Sequence, residues 1–400
     1  MTKYLKKTVF LLIIVLLISS CFTGCKTFDN FKSTFIDHEG KTEEKVRIGV
    51  FEPLSGENKE QGELEKTGIE LAHELYSKAL GKEVELVYAD NKSDLTVAET
   101  MAKELIEKRP AVILGSFGST FSLIGNDIFK EADTPAIAVT CSNPLVTNSS
   151  EYYFRVCYVE SFQGIAAAKY AVEEMKVKKA AILKESNNDY AAAFCQAFSD
   201  KFKALTKDEQ GIVSSMEYNA EDKTFKEQLN DIKKSGAEVI FLPSEITDAA
   251  NIMKEAKKLN IDATFLGTDK WENEDLIKLG GKAVEGAAFS TYFDSKSAIT
   301  ETTSVFLEAY QQKYGKNSVP DSAVALGFDA YLLAVTAINQ AGTAVSGKAV
   351  KEVLEKTKGF IGASGNITFD KNGDPIKSVS INTVKDGKIV YTYTVEPTWS

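Results

Sequence analysis

The stretch AVILGSFGST, residues 111–120, joins a short apolar run to a loop of glycine and hydroxyl side chains. A helical pattern of apolar residues begins directly after it, at Phe121. A continuous apolar run of this length is typical of a strand that is buried on both faces of a parallel sheet. The stretch therefore predicts one strand–loop–helix unit of an α/β fold.

The same unit recurs along the chain. Apolar residues at helical spacing, such as Ile69, Ala72 and Tyr76, separate short runs that are rich in apolar and β-branched residues. Helical stripes also lie at 98–107, 162–174, 225–233, 248–258, 302–314 and 322–340. The candidate strands are 46–51, 84–89, 111–115, 136–139, 180–184, 213–218, 239–242, 264–266 and 286–290. This alternation predicts parallel sheets covered by helices on both faces.

The candidate strands fall into two groups, which lie at 46–156 and 180–290. Because they are too many for one small doubly wound domain, we expect two Rossmann-like lobes. The chain then ends in a hairpin pattern, with a turn at 370–374 and two short strands around Asp386-Gly387. Asn-Gly and Asp-Gly pairs are strong turn signals, so these last strands are predicted to be antiparallel.

The first 25 residues have the features of an export signal. Three lysines precede an apolar run at 9–18, which is too short to span a bilayer. Two sites with small residues follow, ending at Cys21 and Cys25, and both resemble the lipobox of bacterial lipoproteins. The neighbouring Gly24 and Lys26 favour Cys25 as the acylated residue, with Cys21 as the alternative. A secreted protein without a lipid is the other interpretation.

We therefore predict a lipoprotein signal peptide at 1–25 and a polar, flexible tether at 26–44. Acyl chains on the cysteine would anchor the exported protein to the outer face of the cell membrane, or to its periplasmic face. The rest of the chain has no uninterrupted apolar run long enough to cross a bilayer. The lipid anchor is thus the predicted contact with the membrane.

Composition limits the function classes. With 44% hydrophobic and 26% charged residues, the chain is typical of a soluble globular protein. The formal net charge of −10 disfavours nucleic acid as a partner, because an acidic surface repels phosphates. The two histidines, His38 and His73, are too few for a histidine-rich metal site, and the cysteines fit no zinc pattern. We expect neither a metal nor a cofactor.

Sequence motifs of common enzymes are missing. The chain has no G-x-S-x-G elbow, P-loop, H-E-x-x-H or G-x-G-x-x-G motif. Asp370 and Asn372 superficially open a calcium loop, but Pro375 and Ile381 stand where glycine and glutamate are required. A plain turn explains that segment better, and an enzyme is disfavoured.

Polar side chains follow two candidate strands of the first group. Ser119 ends the loop quoted above and is predicted as the N-cap of the next helix, whose free N–H groups suit a carboxylate. Thr140, Cys141 and Ser142 follow the strand at 136–139, where hydroxyls and a backbone carbonyl could share a carboxylate and an ammonium. Taken singly, each segment fits ordinary helix capping and turn chemistry better.

The second group of strands has similar loops. Tyr190, Glu245 and Asp269 each stand in a loop that directly follows a candidate strand. Asp269 is an acid suited to pair with an ammonium group, and Trp271 is either an apolar wall or part of the core. A solvated surface is the more common place for any single aspartate. Together, the two groups of loops predict a cleft that is complementary to a zwitterion.

A set of short motifs resembles a known family. The chain is similar, over residues 45–395, to the branched-chain amino-acid-binding proteins of ABC importers, which have the type I periplasmic-binding fold. The motifs are VRIGV (46–50), PLSG (53–56), YAD (88–90), GSFGS (115–119), SNP (142–144), YFR (153–155), QG (163–164), FLG (265–267) and FDKNGD (369–374). Each motif is short, but their common order is specific.

The resemblance implies two lobes joined by three hinge crossovers. The crossovers are expected near 157–162, 290–293 and 361–365. Lobe one would then contain residues 45–157 plus 291–362, and lobe two would contain 158–290 plus 363–396. A ligand would bind between the two lobes as they close.

The resemblance also implies roles for individual residues. Ser119 and Ser142 match residues that bind the ligand carboxylate, and the segment 140–142 matches the part that also receives the ammonium. Asp269 matches the acid that completes the ammonium site. Tyr190 matches an aromatic residue that covers the ligand from lobe two.

The predicted side-chain pocket departs from the family pattern. Gln61 stands where the family often has tyrosine, and Ser142 stands where threonine is common. The predicted pocket walls are Phe117, Gln61, Glu245 and Trp271. Glu245 is unexpected in an aliphatic pocket, because burying an unpaired carboxylate is costly.

The function implied by the resemblance is that of a lipid-anchored solute-binding protein of an ABC importer. It would bind an amino acid with a branched-chain or other apolar side chain, and its closed form would dock on a membrane permease. The alternatives are a ligand-sensing protein that serves a membrane receptor and a binder of a small amide or urea-type solute. A surface hydrolase is a third class, which would require a nucleophile–base pair.

Overall fold

The computed structural model describes residues 45–296 and 300–397; the predicted signal peptide, tether and acylation cysteines lie outside them. The strands are β1 (Lys45–Glu52), β2 (Lys78–Ala79), β3 (Lys82–Asp90), β4 (Val112–Gly115), β5 (Ala136–Ala138), β6 (Tyr153–Arg155), β7 (Ala180–Glu185), β8 (Ile212–Tyr218), β9 (Val239–Phe241), β10 (Thr264–Gly267), β11 (Ala288–Thr291), β12 (Phe360–Gly362), β13 (Gly365–Phe369), β14 (Pro375–Ile376), β15 (Val379–Lys385) and β16 (Lys388–Val395).

The helices lie between these strands. The α-helices are α1 (Lys59–Leu75), α2 (Leu95–Glu107), α3 (Ser119–Glu131), α4 (Leu145–Asn148), α5 (Glu160–Lys169), α6 (Asp189–Thr206), α7 (Lys226–Ser235), α8 (Ile246–Lys258), α9 (Asp275–Gly280), α10 (Glu301–Tyr314), α11 (Ser322–Ala341) and α12 (Gly347–Leu354). A π-helical segment at Tyr170–Glu174 continues α5, and short 3₁₀ turns lie at Asp269–Trp271 and Gly281–Ala283.

Six strands form the first sheet, in the order β2-β3-β1-β4-β5-β6. The pairs β1–β4, β4–β5 and β5–β6 are parallel, with Ile48 opposite Val112 and Ile113 opposite Ala136. These four side chains are completely buried, as expected for apolar runs that lack polar alternation.

Seven strands form the second sheet, in the order β16-β15-β11-β10-β9-β7-β8. Neighbours from β11 to β8 are parallel, whereas β15 pairs antiparallel with both β11 and β16. The β15–β16 hairpin turns at Asp386 and Gly387, which both have positive φ, as the Asp-Gly signal predicted. Two mostly parallel sheets with intervening helices confirm the predicted α/β fold.

A third, small antiparallel sheet, β12-β13-β14, packs against the first sheet. The ring of Phe369 lies 5.3 Å from that of Phe154, and Gly373 accepts a hydrogen bond from the backbone N–H of Arg155 at 3.2 Å. We predicted that all of 363–396 would belong to lobe two. The structure instead places 363–376 beside β6, where Asp374 forms a largely buried ion pair with Arg155. In this segment, only β15 and β16 join the second sheet.

Tyr158 connects the chain segments that run between the two large sheets. Its hydroxyl donates to the carbonyl of Ser378 at 2.9 Å and lies 3.4 Å from the carbonyl of Thr291. Its ring stacks on Tyr292, with 4.9 Å between the ring centroids. Because Tyr158, Tyr292 and Ser378 stand on three different connecting segments, all three segments meet around one buried side chain.

Helix α11 packs closely against α1 through glycines. A Cβ atom added at Gly68 would lie 1.9 Å from the carbonyl oxygen of Val324, and one added at Gly327 would lie 2.2 Å from that of Glu65. Among the described residues, α11 is the one helix long and apolar enough to cross a membrane, but 78% of its apolar window is buried inside the protein. It therefore serves as a core helix of the first half.

Gly327→Ala is expected to destabilise the protein by roughly 1–3 kcal/mol, because the added methyl forces α1 and α11 apart. The clash must outweigh the better helix propensity of alanine, which is worth about 1 kcal/mol. Urea unfolding measures the change, with Gln340→Ala at an exposed site of the same helix as the control. An unchanged unfolding midpoint would show that the two helices can separate without cost.

Candidate functional site

Two loops at the carboxyl end of the first sheet carry predicted site residues. Loop A, residues 116–119, follows β4, and loop B, residues 139–144, follows β5. Helix α3 begins at Ser119, and Gly118, at φ 85°, occupies the N-cap position. The prediction that Ser119 caps the helix is therefore wrong, because the helix starts one residue earlier. Instead, Ser119 Oγ accepts a hydrogen bond from the N–H of Asn143 at 3.3 Å, which ties the two loops together.

The predicted residues of this first group differ in exposure. Phe117, Ser119, Thr140 and Ser142 are half-buried at the sheet edge, and Gln61 is exposed near the start of α1. Loops A and B therefore present an aromatic side chain, hydroxyl groups and the start of a helix on one surface. Such a surface can accept a carboxylate, because the first N–H groups of a helix have no partner within it.

Arg155 anchors loop B from the interior. Its guanidinium is completely buried; Nη1 donates to the carbonyl of Cys141 at 2.6 Å, and Nη2 donates to that of Asn143 at 2.9 Å. An ion pair of 2.7 Å between Nε and Asp374 Oδ1 balances the charge. The sequence shows Arg155 only as part of a short motif. Its role could not be predicted, because its partner Asp374 lies in a distant turn before β14.

The side chain of Cys141 lies in the core. Its Sγ is 2.6 Å from the carbonyl oxygen of Ser116 and 3.0 Å from Ser122 Oγ. Burial raises the pKa of this thiol well above its ordinary value, so the thiol stays protonated and inert. Both its thiol and its carbonyl, which Arg155 holds, have partners within the protein. The thiol and the carbonyl of Cys141 are therefore already engaged, and a contact of this residue with a ligand stays a prediction.

Two glutamates lie directly behind these loops. Glu52 Oε2 accepts a hydrogen bond from the N–H of Phe117 at 2.7 Å, and Glu65 Oε1 accepts one from Thr140 Oγ1. Both side chains are completely buried. Sequence reasoning missed both, although an acid at the end of a buried strand, as at Glu52, is a usable signal.

Asp269 lies at the carboxyl end of the second sheet, in the 3₁₀ turn after β10. Its backbone N–H donates to Gln163 Oε1 at 3.4 Å, and its own Oδ1 is buried without a hydrogen-bond partner. Burial raises the pKa of this carboxyl above its ordinary value. A buried carboxylate oxygen without a partner is costly, so the site suits a group that brings positive charge or N–H donors.

Gln163 lies next to the Asp269 turn and holds it through a hydrogen bond. It was not predicted as a site residue. Its side chain, 1% exposed, accepts a hydrogen bond from Ser290 Oγ at 2.6 Å and donates to Tyr292 Oη at 3.0 Å. These contacts fix the amide so that its oxygen faces the Asp269 turn. The side chain thus links α5 to the turn after β10, to β11 and to the segment after β11.

Tyr190 and Glu245 are both near Lys270. The prediction placed Tyr190 in a loop, but it lies in the first turn of α6, because Asn188 caps that helix by accepting from the N–H of Ala191. Lys270 Nζ is 4.4 Å from the centre of the Tyr190 ring and also pairs with the exposed Glu245 carboxylate. Glu245 is therefore a solvated partner of Lys270. The cost of burying an unpaired carboxylate, which made Glu245 unexpected in a pocket wall, does not arise.

Trp271 belongs to the core of the second half. Its side chain is completely buried, and Nε1 donates to the carbonyl of Ser244 at 2.9 Å. A Cβ atom added at Gly267 would lie 2.3 Å from its ring, so the indole packs directly on β10. Of the two interpretations open from the sequence, the core position is correct and the prediction of a pocket wall is wrong.

The structure thus groups the predicted residues into two surfaces. One offers hydroxyls and a helix start at the first sheet, and the other offers the Asp269 carboxylate beneath Tyr190 at the second. Within 45–296 and 300–397, no group of three or more His, Cys, Asp or Glu side chains is arranged to hold a metal ion. The chemistry of the two surfaces is complementary to a molecule with a carboxylate and an ammonium group.

Known proteins share this architecture. The family model of periplasmic binding proteins matches residues 45–388. The Leu/Ile/Val-binding protein homolog 3 of Brucella melitensis is 25% identical over 354 residues, which cover 86% of this chain and 93% of that protein. The crystal structure of the leucine-binding protein LivK of Thermotoga maritima is 33% identical, with a TM-score of 0.75 and coverage of 88% and 99%. LivJ of Streptococcus pneumoniae, solved with isoleucine, is 25% identical, with a TM-score of 0.72 and coverage of 88% and 100%.

The family match runs from β1 to the start of β16, so it includes both large sheets and the small third sheet. It confirms the resemblance drawn from the short sequence motifs. It also supports the expectation that the chain is not an enzyme. The chain belongs to the periplasmic binding protein family, whose role is to bind a solute rather than to catalyse a reaction.

Proposed function

We propose that this protein is the solute-binding component of an ABC importer and that its ligand is an amino acid with a branched-chain or other apolar side chain. The observation that carries this proposal is the buried Oδ1 of Asp269, which has no partner within the described structure. An ammonium group supplies both the charge and the donors that this oxygen requires. The names of LivK and LivJ, and the isoleucine bound to LivJ, support an amino acid as the ligand.

The ligand carboxylate is proposed to bind at the start of α3, with the hydroxyls of Ser119 and Ser142 as donors. The ammonium then lies between Thr140 and Asp269. Phe117 and the exposed Gln61 would line the side-chain pocket, and Tyr190 would cover the ligand.

Binding is proposed to close two lobes around the ligand. Lobe one comprises residues 45–157 and 291–376, and lobe two comprises 158–290 and 377–396. Ligand that first reaches loops A and B favours closure only through contacts that the open form lacks, namely those with Asp269 and Tyr190. The closed form would then dock on a membrane permease.

A thermal-shift screen of the twenty amino acids and simple amides, followed by titration calorimetry, tests the ligand class. A ligand that binds only the folded protein raises its melting temperature; at one hundred times Kd the stabilisation is about 2.7 kcal/mol. We expect apolar amino acids to give the largest shifts. Shifts by amides or urea alone, or by no amino acid at all, would contradict the proposal.

The proposed lipid anchor is tested separately. Cys25→Ala is expected to abolish incorporation of labelled fatty acid and to move the protein from the membrane fraction to the soluble fraction, because no acyl chain can attach. Cys21→Ala is the matched control and should remain bound to the membrane. The reverse pattern would make Cys21 the acylated residue, and label retained in the double variant would exclude both cysteines.

A further inference from the structure

We propose that Glu52 and Glu65 are a pair of carboxyl groups that share one proton and that position loops A and B for the ligand. This inference rests on the proposed function, since the loops matter only if a ligand binds there. The pair gives these two glutamates the role of positioning residues behind the binding surface. It would explain why two acids lie side by side in the interior of the first half.

Each carboxyl holds one of the two loops. Glu52 stands at the end of β1, and its Oε2 accepts from the N–H of Phe117 in loop A at 2.7 Å. Glu65 stands on α1, and its Oε1 accepts from Thr140 Oγ1 in loop B. Loops A and B are therefore connected through the two carboxyls as well as through their direct contact between Ser119 and Asn143.

The second oxygen of each carboxyl indicates that a proton lies between the two groups. Glu52 Oε1 and Glu65 Oε2 are both buried, and neither has a hydrogen-bond partner among the ordinary donors of the described structure. Two bare carboxylates in this place would repel each other and would lack solvation. The two carboxyls interact directly with each other. One proton held between them turns this contact between two acceptors into a hydrogen bond.

The space for the pair is created by Gly115. This residue ends β4 at φ 107°, and a Cβ atom there would lie 2.3 Å from Glu52 Oε1. Any larger residue at this position would therefore displace the Glu52 carboxyl. The absence of a side chain at the end of β4 thus leaves room for the Glu52 carboxyl, which favours a functional role for this acid.

The titratable groups that act most strongly on the pair are acidic, and the nearest cation named above, Arg155, is held by the carbonyl of Cys141 and by Asp374. The acidic groups that interact with the pair in the described structure are the thiols of Cys141 and Cys157, the phenol of Tyr153 and the carboxyl of Asp321. Burial and the neighbouring Glu65 raise the pKa of Glu52 well above its ordinary value. Burial also raises the pKa of Glu65 to about 7. The pair therefore retains a proton at neutral pH and titrates as a unit.

The shared proton matters because the proposed ligand brings its own carboxylate to the same loops. A pair that has lost its last proton carries two negative charges, which repel both each other and the ligand. With one shared proton the pair carries a single negative charge, so its carboxyls no longer repel each other and its repulsion of the ligand is weaker. The hydrogen bond between the carboxyls also holds Phe117 and Thr140 at a fixed separation. The pair thus contributes to affinity by positioning, without touching the ligand.

Affinity for the best amino acid from the screen, measured by titration calorimetry at neutral pH, tests the positioning role. Glu52→Ala is expected to weaken binding at least about tenfold, because Phe117 and Glu65 both lose a partner. Glu52→Gln is expected to stay within about threefold, since its amide can accept from Phe117 and donate to Glu65. Glu57→Ala, at an exposed loop position, is the control. Equal affinity of Glu52→Ala and the wild type would overturn the proposal.

Infrared spectroscopy tests the proton directly and needs no ligand. The difference spectrum of the wild type minus Glu52→Gln at neutral pH should show the carbonyl stretch of a protonated carboxyl, a signal that a purely structural role does not require. Absence of that band overturns the proposal, even if Glu52→Ala fails to fold. If the wild type shows the band but binds no amino acid, the proposed function fails while the proton-sharing pair stands.

Discussion

Replacing Asp269 by alanine is expected to weaken amino-acid binding by roughly 2–5 kcal/mol, the usual cost of truncating one partner of a buried, hydrogen-bonded charge pair. The ligand ammonium would enter a buried site and find no counter-charge there. Titration calorimetry measures the loss. Asp269→Asn keeps the shape and one acceptor oxygen but removes the charge, so its affinity should lie between those of the alanine variant and the wild type.

The pH dependence of binding checks the same role. Burial raises the pKa of Asp269 in the free protein, and a bound ammonium favours the charged carboxylate and so lowers that pKa. Binding must therefore release a proton in the acidic range, and affinity must fall as the pH drops through the pKa of the free protein. Asp269→Asn should lose this dependence. A wild-type affinity that is equal at neutral and acidic pH, or an unaffected alanine variant, would refute the assignment.

Replacing Arg155 by alanine is expected to lower the free energy of unfolding by roughly 3–5 kcal/mol, because it leaves a mostly buried carboxylate without its cation. The Asp374 carboxylate would keep the hydrogen bond from Thr147, at 2.8 Å, and the carbonyls of Cys141 and Asn143 would lose the guanidinium as a donor. Urea unfolding of the ligand-free protein measures the change.

Arg155→Lys is the informative partner of that variant. It keeps the charge next to Asp374, but a lysine cannot reach the carbonyls of Cys141 and Asn143 with the same fork of donors. Its stability should therefore fall between those of the wild type and the alanine variant, whereas its loss of ligand affinity should be close to that of alanine. Equal stability of all three proteins would show that the ion pair contributes nothing.

The sequence predicts the sheets well because their strands are buried on both faces. Each of the predicted runs, from 46–51 to 286–290, overlaps a strand of the structure, and the hairpin at Asp386 was visible from its turn residues. Helix α6 was missed, although Phe194, Phe198 and Phe202 repeat at helical spacing and Asn188 is a good N-cap. That error came from assigning the polar residues at 187–190 to a loop.

The site was predictable where local rules apply. Polar residues after parallel strands collect at one sheet edge, and the structure has Ser119 and Asp269 in the segments that follow β4 and β10, as this rule predicts. This rule could not decide whether Trp271 lines a pocket or belongs to the core, because the answer depends on how the indole packs against Gly267. The rule could not identify Gln163 either, since this side chain contacts the Asp269 turn although the two residues are 106 positions apart in the sequence.

The boundary between the lobes also depends on distant contacts. Residues 363–376 look like the start of the final hairpin, because turn signals are local. Their position beside β6 is accompanied by the ion pair between Asp374 and Arg155. Because these two residues are far apart in the sequence, their pairing cannot be predicted from it. Electrostatic partners of this kind become visible only when the fold brings them together.

The contacts of Tyr158 restrict how the two halves can move. The phenol donates to the carbonyl of Ser378 and lies near that of Thr291 at the end of β11, and its ring stacks on Tyr292, so the three connecting segments meet at a common point. Segments that are held together at one point can turn about it, but they cannot separate or slide past one another without breaking these hydrogen bonds. We therefore expect the proposed opening of the lobes to change distances across the cleft while distances around Tyr158 stay constant, and one fluorophore pair at each place measures the difference.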